Sequence, residues 1–107
     1  MKKIIESAQA PAPIGPYSQA VVANGMVYIS GQIPIDQSTG NLVSGSIEEE
    51  TEQVMKNLGY ILEAAGSGFD KVVKSSIFIK NMGDFAKINA VYGTRFPSNP
   101  PARETVQ

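Results

Sequence analysis

From Ser46 to Gly66 the chain spells out an amphipathic helix with both ends marked, and its apolar side must find a layer to cover it. Ser46-Ile47-Glu48-Glu49 is a capping box: the Ser46 hydroxyl can accept from a first-turn amide while Glu49 reaches back to the cap. Ile47, Val54, Leu58, Ile61, Leu62 and Ala65 then recur at the spacing of one helix face. Glu48, Glu49, Glu50 and Glu52 crowd the start, where the helix dipole favours negative charge. Gly66 can take the left-handed conformation that ends a helix. These signals predict a helix over residues 47–65.

The rest of the chain supplies strands. Asn24-Gly25 between two apolar runs is a hairpin turn signal, joining strands at Ser18 to Val22 and Met26 to Ile33. Alternation sends Val27, Ile29 and Ile33 to one face, and Met26, Tyr28, Ser30 and Gln32 to the other. Before the hairpin, residues 10–16 form a loop, because Pro11, Pro13 and Pro16 cannot donate to a ladder. After it, Pro34 limits the strand and Asp36 to Asn41 reads as a turn-rich loop. Val72 to Lys80 is a third strand-like run, broken at Asn81 to Asp84. Phe85, Ile88, Val91 and Tyr92 mark a second, shorter helix weakened at Gly93. Phe96 to Pro101 is extended, and Ala102 to Gln107 begins another strand. The order ββ(β)αβαβ predicts an α+β sandwich, a sheet with two helices on one face. At 107 residues the chain is one domain, 1–107.

Composition removes several chemistries. There is no Cys and no His, so disulfides, thiolate chemistry, imidazole or thiolate zinc sites and Ser-His-Asp triads are out. Proton transfer near neutral pH must then use a carboxylate, Lys, Tyr or water. Nine Lys and Arg against ten Asp and Glu argue against a phosphate-backbone binder. No run is long and apolar enough to span a bilayer. Met1 to Glu6 begins basic without the apolar region of a secretory signal, so a cytoplasmic protein is expected.

Five segments, in order, carry a family resemblance. They are Ala12-Pro13-Ile14-Gly15-Pro16-Tyr17-Ser18-Gln19-Ala20, Ser30-Gly31-Gln32-Ile33-Pro34, Asn57-Leu58 through Ala64-Ala65-Gly66, Asp84-Phe85 through Asn89-Ala90-Val91-Tyr92, and Phe96-Pro97 through Pro100-Pro101-Ala102-Arg103. Over nearly its whole length the chain resembles the RidA/YjgF family. The resemblance implies a chorismate-mutase-like fold, a mixed sheet with two helices on one face, and a homotrimer with a cleft at each subunit interface. It implies hydrolysis of 2-imino and enamine acids, such as 2-iminobutanoate and 2-iminopropanoate, to 2-ketoacids and ammonia. In that picture Arg103 holds the substrate carboxylate and is the catalytic residue, while Tyr17, Ser30, Gly31 and Asn89 line the cleft. An acidic residue on a later strand positions or activates water, and the family's pattern places that strand beyond Gln107. No metal or organic cofactor is implied.

Read without the resemblance, the same residues are less pointed. Arg103 follows Pro100-Pro101, so its side chain starts from a stiff backbone, but an arginine alone more often makes a weak surface ion pair. What suits it to a carboxylate is the planar fork of its guanidinium. Tyr17 fits an ordinary interface tyrosine as well as a wall for an apolar substrate chain. Ser30 fits strand-end turn chemistry, and Gly31 beside it would let a ligand approach the backbone. Asn89, at the edge of its helix's buried stripe, is expected to fix a loop by hydrogen bonding. The Glu48 to Glu52 cluster is a solvated helix start rather than a cation site. Glu104 is next to Arg103 in sequence, so on a strand it should face the opposite way and not serve as base. Two rival functions stay open: a non-catalytic binder of small carboxylates or of a protein, and a ribonuclease or translation inhibitor. The second lacks its usual acid/base parts.

Overall fold

The computed structural model describes residues 1–107. Its hairpin forms where Asn-Gly demanded it: Asn24 and Gly25 take φ of 51° and 75°, the positive pair that a tight hairpin turn requires. Strands β2 (Ala20–Ala23) and β3 (Met26–Ile29) pair antiparallel on either side, and β1 (Lys3–Ile5) adds to the free edge of β2. Val27 and Ile29 turn inward as the alternation predicted. Ile33 does not join them, because β3 ends at Ile29 and Ile33 is exposed. The chain leaves the ladder at Ser30, whose hydroxyl donates to the Ser18 carbonyl at 2.6 Å.

The segment read as a turn-rich loop, Asp36 to Asn41, is the turn of a small hairpin. Strands β4 (Ile35–Asp36) and β5 (Asn41–Leu42) pair antiparallel around it. Two-residue strands are too short to show a periodicity, so only their turn was legible. That turn is held by Asp36, whose carboxylate accepts from the backbone N–H and the hydroxyl of Ser38 at 2.9 and 2.6 Å.

Helix α1 (Ile47–Ala64) starts on the Ser46 cap, with the Glu49 amide donating to the Ser46 hydroxyl at 3.1 Å. It ends at Gly66, with φ 73°, and the Ser67 and Gly66 amides return to the Leu62 and Glu63 carbonyls. This is a Schellman closure. Ile61 is fully buried against Ile5, Ala10 and Ala20, with Val22, Val27 and Ile29 around them. Thus α1 covers the inner face of the β1–β2–β3 sheet.

Two polar residues are buried inside this layer. The Asn57 amide donates to the Ile33 and Ile35 carbonyls at 3.2 and 3.0 Å, and its oxygen accepts from Gln53 at 2.9 Å. Gln19 accepts from the Ser7 amide at 2.6 Å and donates to the Ser7 and Pro11 carbonyls at 3.1 and 2.9 Å. Backbone groups that no ladder satisfies are therefore satisfied by side-chain amides.

The C-terminal part is a β–α–β unit. Strands β6 (Lys74–Phe78) and β7 (Ala102–Val106) pair parallel, Ser75 opposite Arg103 and Ile77 opposite Thr105. Parallel neighbours need a crossover, and helix α2 (Phe85–Tyr92) lies within it. The two helices pack against each other. The result is α+β, with the helices on mixed strands. The antiparallel and parallel pairings are distributed over three hydrogen-bonded groups: β1–β2–β3, β4–β5 and β6–β7.

One ion pair ties the helical layer together. Arg95, just after α2, makes two 2.6 Å bonds to the carboxylate of Glu52 on α1. Those bonds hold the Glu52 carboxyl below its ordinary value of 4.5 and outweigh partial desolvation. A depressed folded value means the contribution is complete above about pH 4.5 and is lost as pH falls through the lowered value. Glu52→Gln is expected to cost about 1 kcal/mol near neutrality, a figure limited by solvent screening. In thermal melts from about pH 6 to about pH 3, wild type should converge on the variant. An unchanged gap at the acid end would show that the pair does not titrate.

Candidate functional site

Strand alternation divides β6 and β7 into two faces. Ser75, Ile77, Arg103 and Thr105 point towards the helices, while Lys74, Ser76, Phe78, Glu104 and Val106 are exposed. On the helix side, the Arg103 guanidinium donates to the side-chain oxygen of Asn89 at 2.7 Å. It sits 5.4 Å from the centre of the Phe85 ring and 5.0 Å from that of Tyr92. Both distances are within cation–π range. The Tyr92 hydroxyl is in turn bonded to the Ser75 hydroxyl at 2.6 Å. Three residues of α2 therefore aim one arginine of β7.

What this arginine lacks is an anion. The ion pairs of the chain are Lys74–Glu104 and Arg95–Glu52, and neither involves Arg103. Its charge is balanced only by ring faces and one amide oxygen. Nitrogens other than the one given to Asn89 remain to donate elsewhere. A half-buried guanidinium with spare donors and no carboxylate partner in the chain can bond to an external anion.

Asn89 was expected to fix a loop. It bonds Arg103 instead, because the edge position on α2 faces β7. Glu104 points away from Arg103, where Lys74 at 2.8 Å and Ser76 at 2.6 Å hold it ionised, below the ordinary carboxyl value.

Tyr17, Ser30 and Gly31 lie elsewhere. The Tyr17 side chain is half exposed, and its hydroxyl accepts from the Ile14 amide at 3.3 Å. Ser30 is bonded to Ser18, and a side chain added at Gly31 would meet nothing within 4 Å. No hydrogen bond joins this group to Arg103 or Asn89 within the chain. The five predicted residues thus fall into two separate groups within the chain, Arg103 with Asn89 and Tyr17 with Ser30 and Gly31.

Sequence reasoning missed Ser75 and Thr105, and it read Phe85 and Tyr92 only as helix stripe. Thr105 is two residues beyond Arg103 on the same face, and its hydroxyl is buried without a hydrogen-bond partner. A buried orphan hydroxyl costs about 1–3 kcal/mol. Thr105→Val keeps the shape and removes the orphan, so it should raise stability by about 1 kcal/mol in denaturant unfolding. A clear loss of stability would mean that the hydroxyl is satisfied by bound water.

These features define a class: a small α+β protein presenting an unpaired, ring-stacked arginine between a parallel strand pair and a helix. The comparisons with known proteins agree on one group. The Endoribonuclease L-PSP family model matches residues 7–107. A RutC family protein of Pyrococcus horikoshii is 49% identical over 107 residues, covering 100% of this chain and 85% of the relative. A human protein named 2-iminobutanoate/2-iminopropanoate deaminase is 48% identical over 107 residues, covering 100% of this chain and 78% of the relative. The crystal structure of a Rid family protein from Yersinia pestis superposes with TM-score 0.96 at 48% identity, covering 99% of this chain and 85% of that one. The chain belongs to the Endoribonuclease L-PSP family, the group that also carries the RidA/YjgF name.

Proposed function

We propose that this protein hydrolyses small 2-imino and enamine acids, 2-iminobutanoate and 2-iminopropanoate among them, to 2-ketoacids and ammonia. The observation that carries the reading is the Arg103 guanidinium, aimed by Asn89, Phe85 and Tyr92 and without a carboxylate of its own. The names of relatives at about half identity support the same chemistry.

The reaction asks little of a protein. A protonated imine is electrophilic at carbon. Water adds there, a proton passes from the added oxygen to nitrogen, and the C–N bond of the carbinolamine breaks to release ammonia and the ketoacid. Arg103 would hold the carboxylate through charge-assisted bonds, fixing the C=N carbon for attack. Glu104 is not the water-activating group, since it faces away and is already bonded to Lys74 and Ser76.

The second half of the site is proposed to come from a neighbouring copy. Tyr17, Ser30 and Gly31 share no hydrogen bond with the Arg103 group within a chain, and Gly31 has open space beside it. A homotrimer with clefts between subunits would bring the two halves together. Tyr28 and Phe78, 61% and 77% exposed, are large apolar side chains left for such contacts.

The test is a coupled assay in which a dehydratase generates 2-iminobutanoate while semicarbazide competes for it. Faster ketoacid release in the presence of the protein supports the reading. No acceleration by folded protein would leave a non-catalytic carboxylate binder. Salt-dependent RNA affinity that follows Lys71, Lys74, Lys80 or Lys87 would favour the nucleic-acid alternative.

A further inference from the structure

A second polar cleft, of about 570 Å³, lies away from Arg103 and shares no residue with its surroundings. Three parts of the fold build it: the turn after β1 with Gln9, the β4–β5 turn with Asp36 and Ser38, and one face of α1. Gln53, Lys56 and Tyr60 stand three and four residues apart, so all three side chains project from the same side of that helix. The hollow is open to solvent, and its lining is polar rather than apolar.

Its charges stand open to solvent. Lys56 and Asp36 both line the cleft, one positive and one negative, near enough to attract each other but not in direct contact as an ion pair. One oxygen of Asp36 is occupied by Ser38, and its other oxygen has no partner in the chain. The Lys56 ammonium makes no direct ion pair, although Asp36 and Glu52 lie within its attractive range. The Tyr60 hydroxyl and the Gln9 side-chain amide are also without hydrogen bonds, and Gln53 spends its N–H on Asn57 and keeps a free oxygen.

A lone anion entering here would meet Asp36, and a lone cation would meet Lys56. A molecule carrying both charges a short distance apart would satisfy both groups. We propose that this cleft binds a free α-amino acid as its zwitterion, with the carboxylate on Lys56 and the ammonium on Asp36. Tyr60, Gln53 and Gln9 supply the remaining donors and acceptors. Because the cleft and the Arg103 site have no residue in common, this proposal does not depend on the imine chemistry.

Amide resonances of the full chain, followed while glycine or L-serine is added, test it. Saturable shifts at Ser38, Lys56 and Tyr60 are expected, and propanoate or propylamine, each with a single charge, should not reproduce them. The response should persist in Arg103→Ala and weaken about tenfold or more in Lys56→Gln and Asp36→Asn. Asparagine can still cap the Ser38 turn, and Lys56 is an exposed helix position, so both variants should keep the wild-type spectrum elsewhere. The proposal is overturned if glycine leaves these amides unmoved, if propanoate does as well as glycine, if the shifts vanish with Arg103→Ala, or if both charge variants titrate like wild type.

Discussion

Arg103→Ala is expected to lower kcat/KM for 2-iminobutanoate by about two to three orders of magnitude, the range for losing one member of a buried charge pair. In the free protein this side chain has no anion to lose, so its removal breaks no ion pair. The variant gives up one bond to Asn89 and packing against Phe85 and Tyr92. Against that, it no longer holds an unbalanced cation in a half-buried place. Stability should therefore change by no more than about 2 kcal/mol, and the kinetic loss should appear in protein that melts cooperatively. A clamp that binds ground and transition states alike raises KM, while one that also orients the C=N carbon lowers kcat. Both changes are expected here. Arg103→Lys should recover only part of the activity, since an ammonium keeps the charge but loses the planar fork and the ring stacking. Wild-type rates in Arg103→Ala would remove the clamp from the mechanism and return the residue to a packing role.

The pattern of what the sequence disclosed follows from the range of each interaction. The α1 boundaries, the Asn24-Gly25 turn and the extent of α2 were legible because caps, turns and helical periodicity act within a few residues. The opposite facing of Arg103 and Glu104 was legible too, since strand alternation is a local rule. The β4–β5 hairpin and β1 were not, because strands of two or three residues carry too few side chains to alternate. Ile33 was misplaced for a related reason: alternation says which face a residue would take, not where the strand stops.

The site was legible in its residue types and illegible in its grouping. Arg103 and Asn89 are 14 positions apart, and only the crossover of a parallel β–α–β unit brings them to 2.7 Å. Phe85 and Tyr92 looked like core stripe because an aromatic ring under a guanidinium and one under a leucine have the same helical spacing. Thr105 had no signal at all. Its significance is a missing partner, and that can be seen only when every neighbour is placed.

Asn57 shows the same limit in the core, and its replacement should damage stability strongly. At 0% exposure it occupies a position that helical periodicity would assign to an apolar residue. Its amide is the buried link between α1 and the carbonyls of Ile33 and Ile35, at the segment that follows Ser30 and Gly31. Asn57→Ala removes both bonds, opens a small cavity and strands the Ile35 carbonyl oxygen, while the Ile33 carbonyl keeps the Ile35 amide at 2.8 Å. One unsatisfied carbonyl costs about 1–3 kcal/mol, and the second lost bond and the cavity add to it, so a total near 3 kcal/mol is expected, lowering Tm by roughly 10 °C or more. Asn57→Leu should not rescue it, since filling the space still leaves the Ile35 carbonyl without its side-chain donor. The two variants together separate packing from hydrogen bonding. If leucine restores wild-type stability and alanine does not, the position matters for volume. If both fall by similar amounts in urea unfolding, the buried amide holds the 33–35 segment against α1. In that case the ordering of the neighbouring Ser30–Gly31 turn depends on a side chain 26 residues away from Gly31.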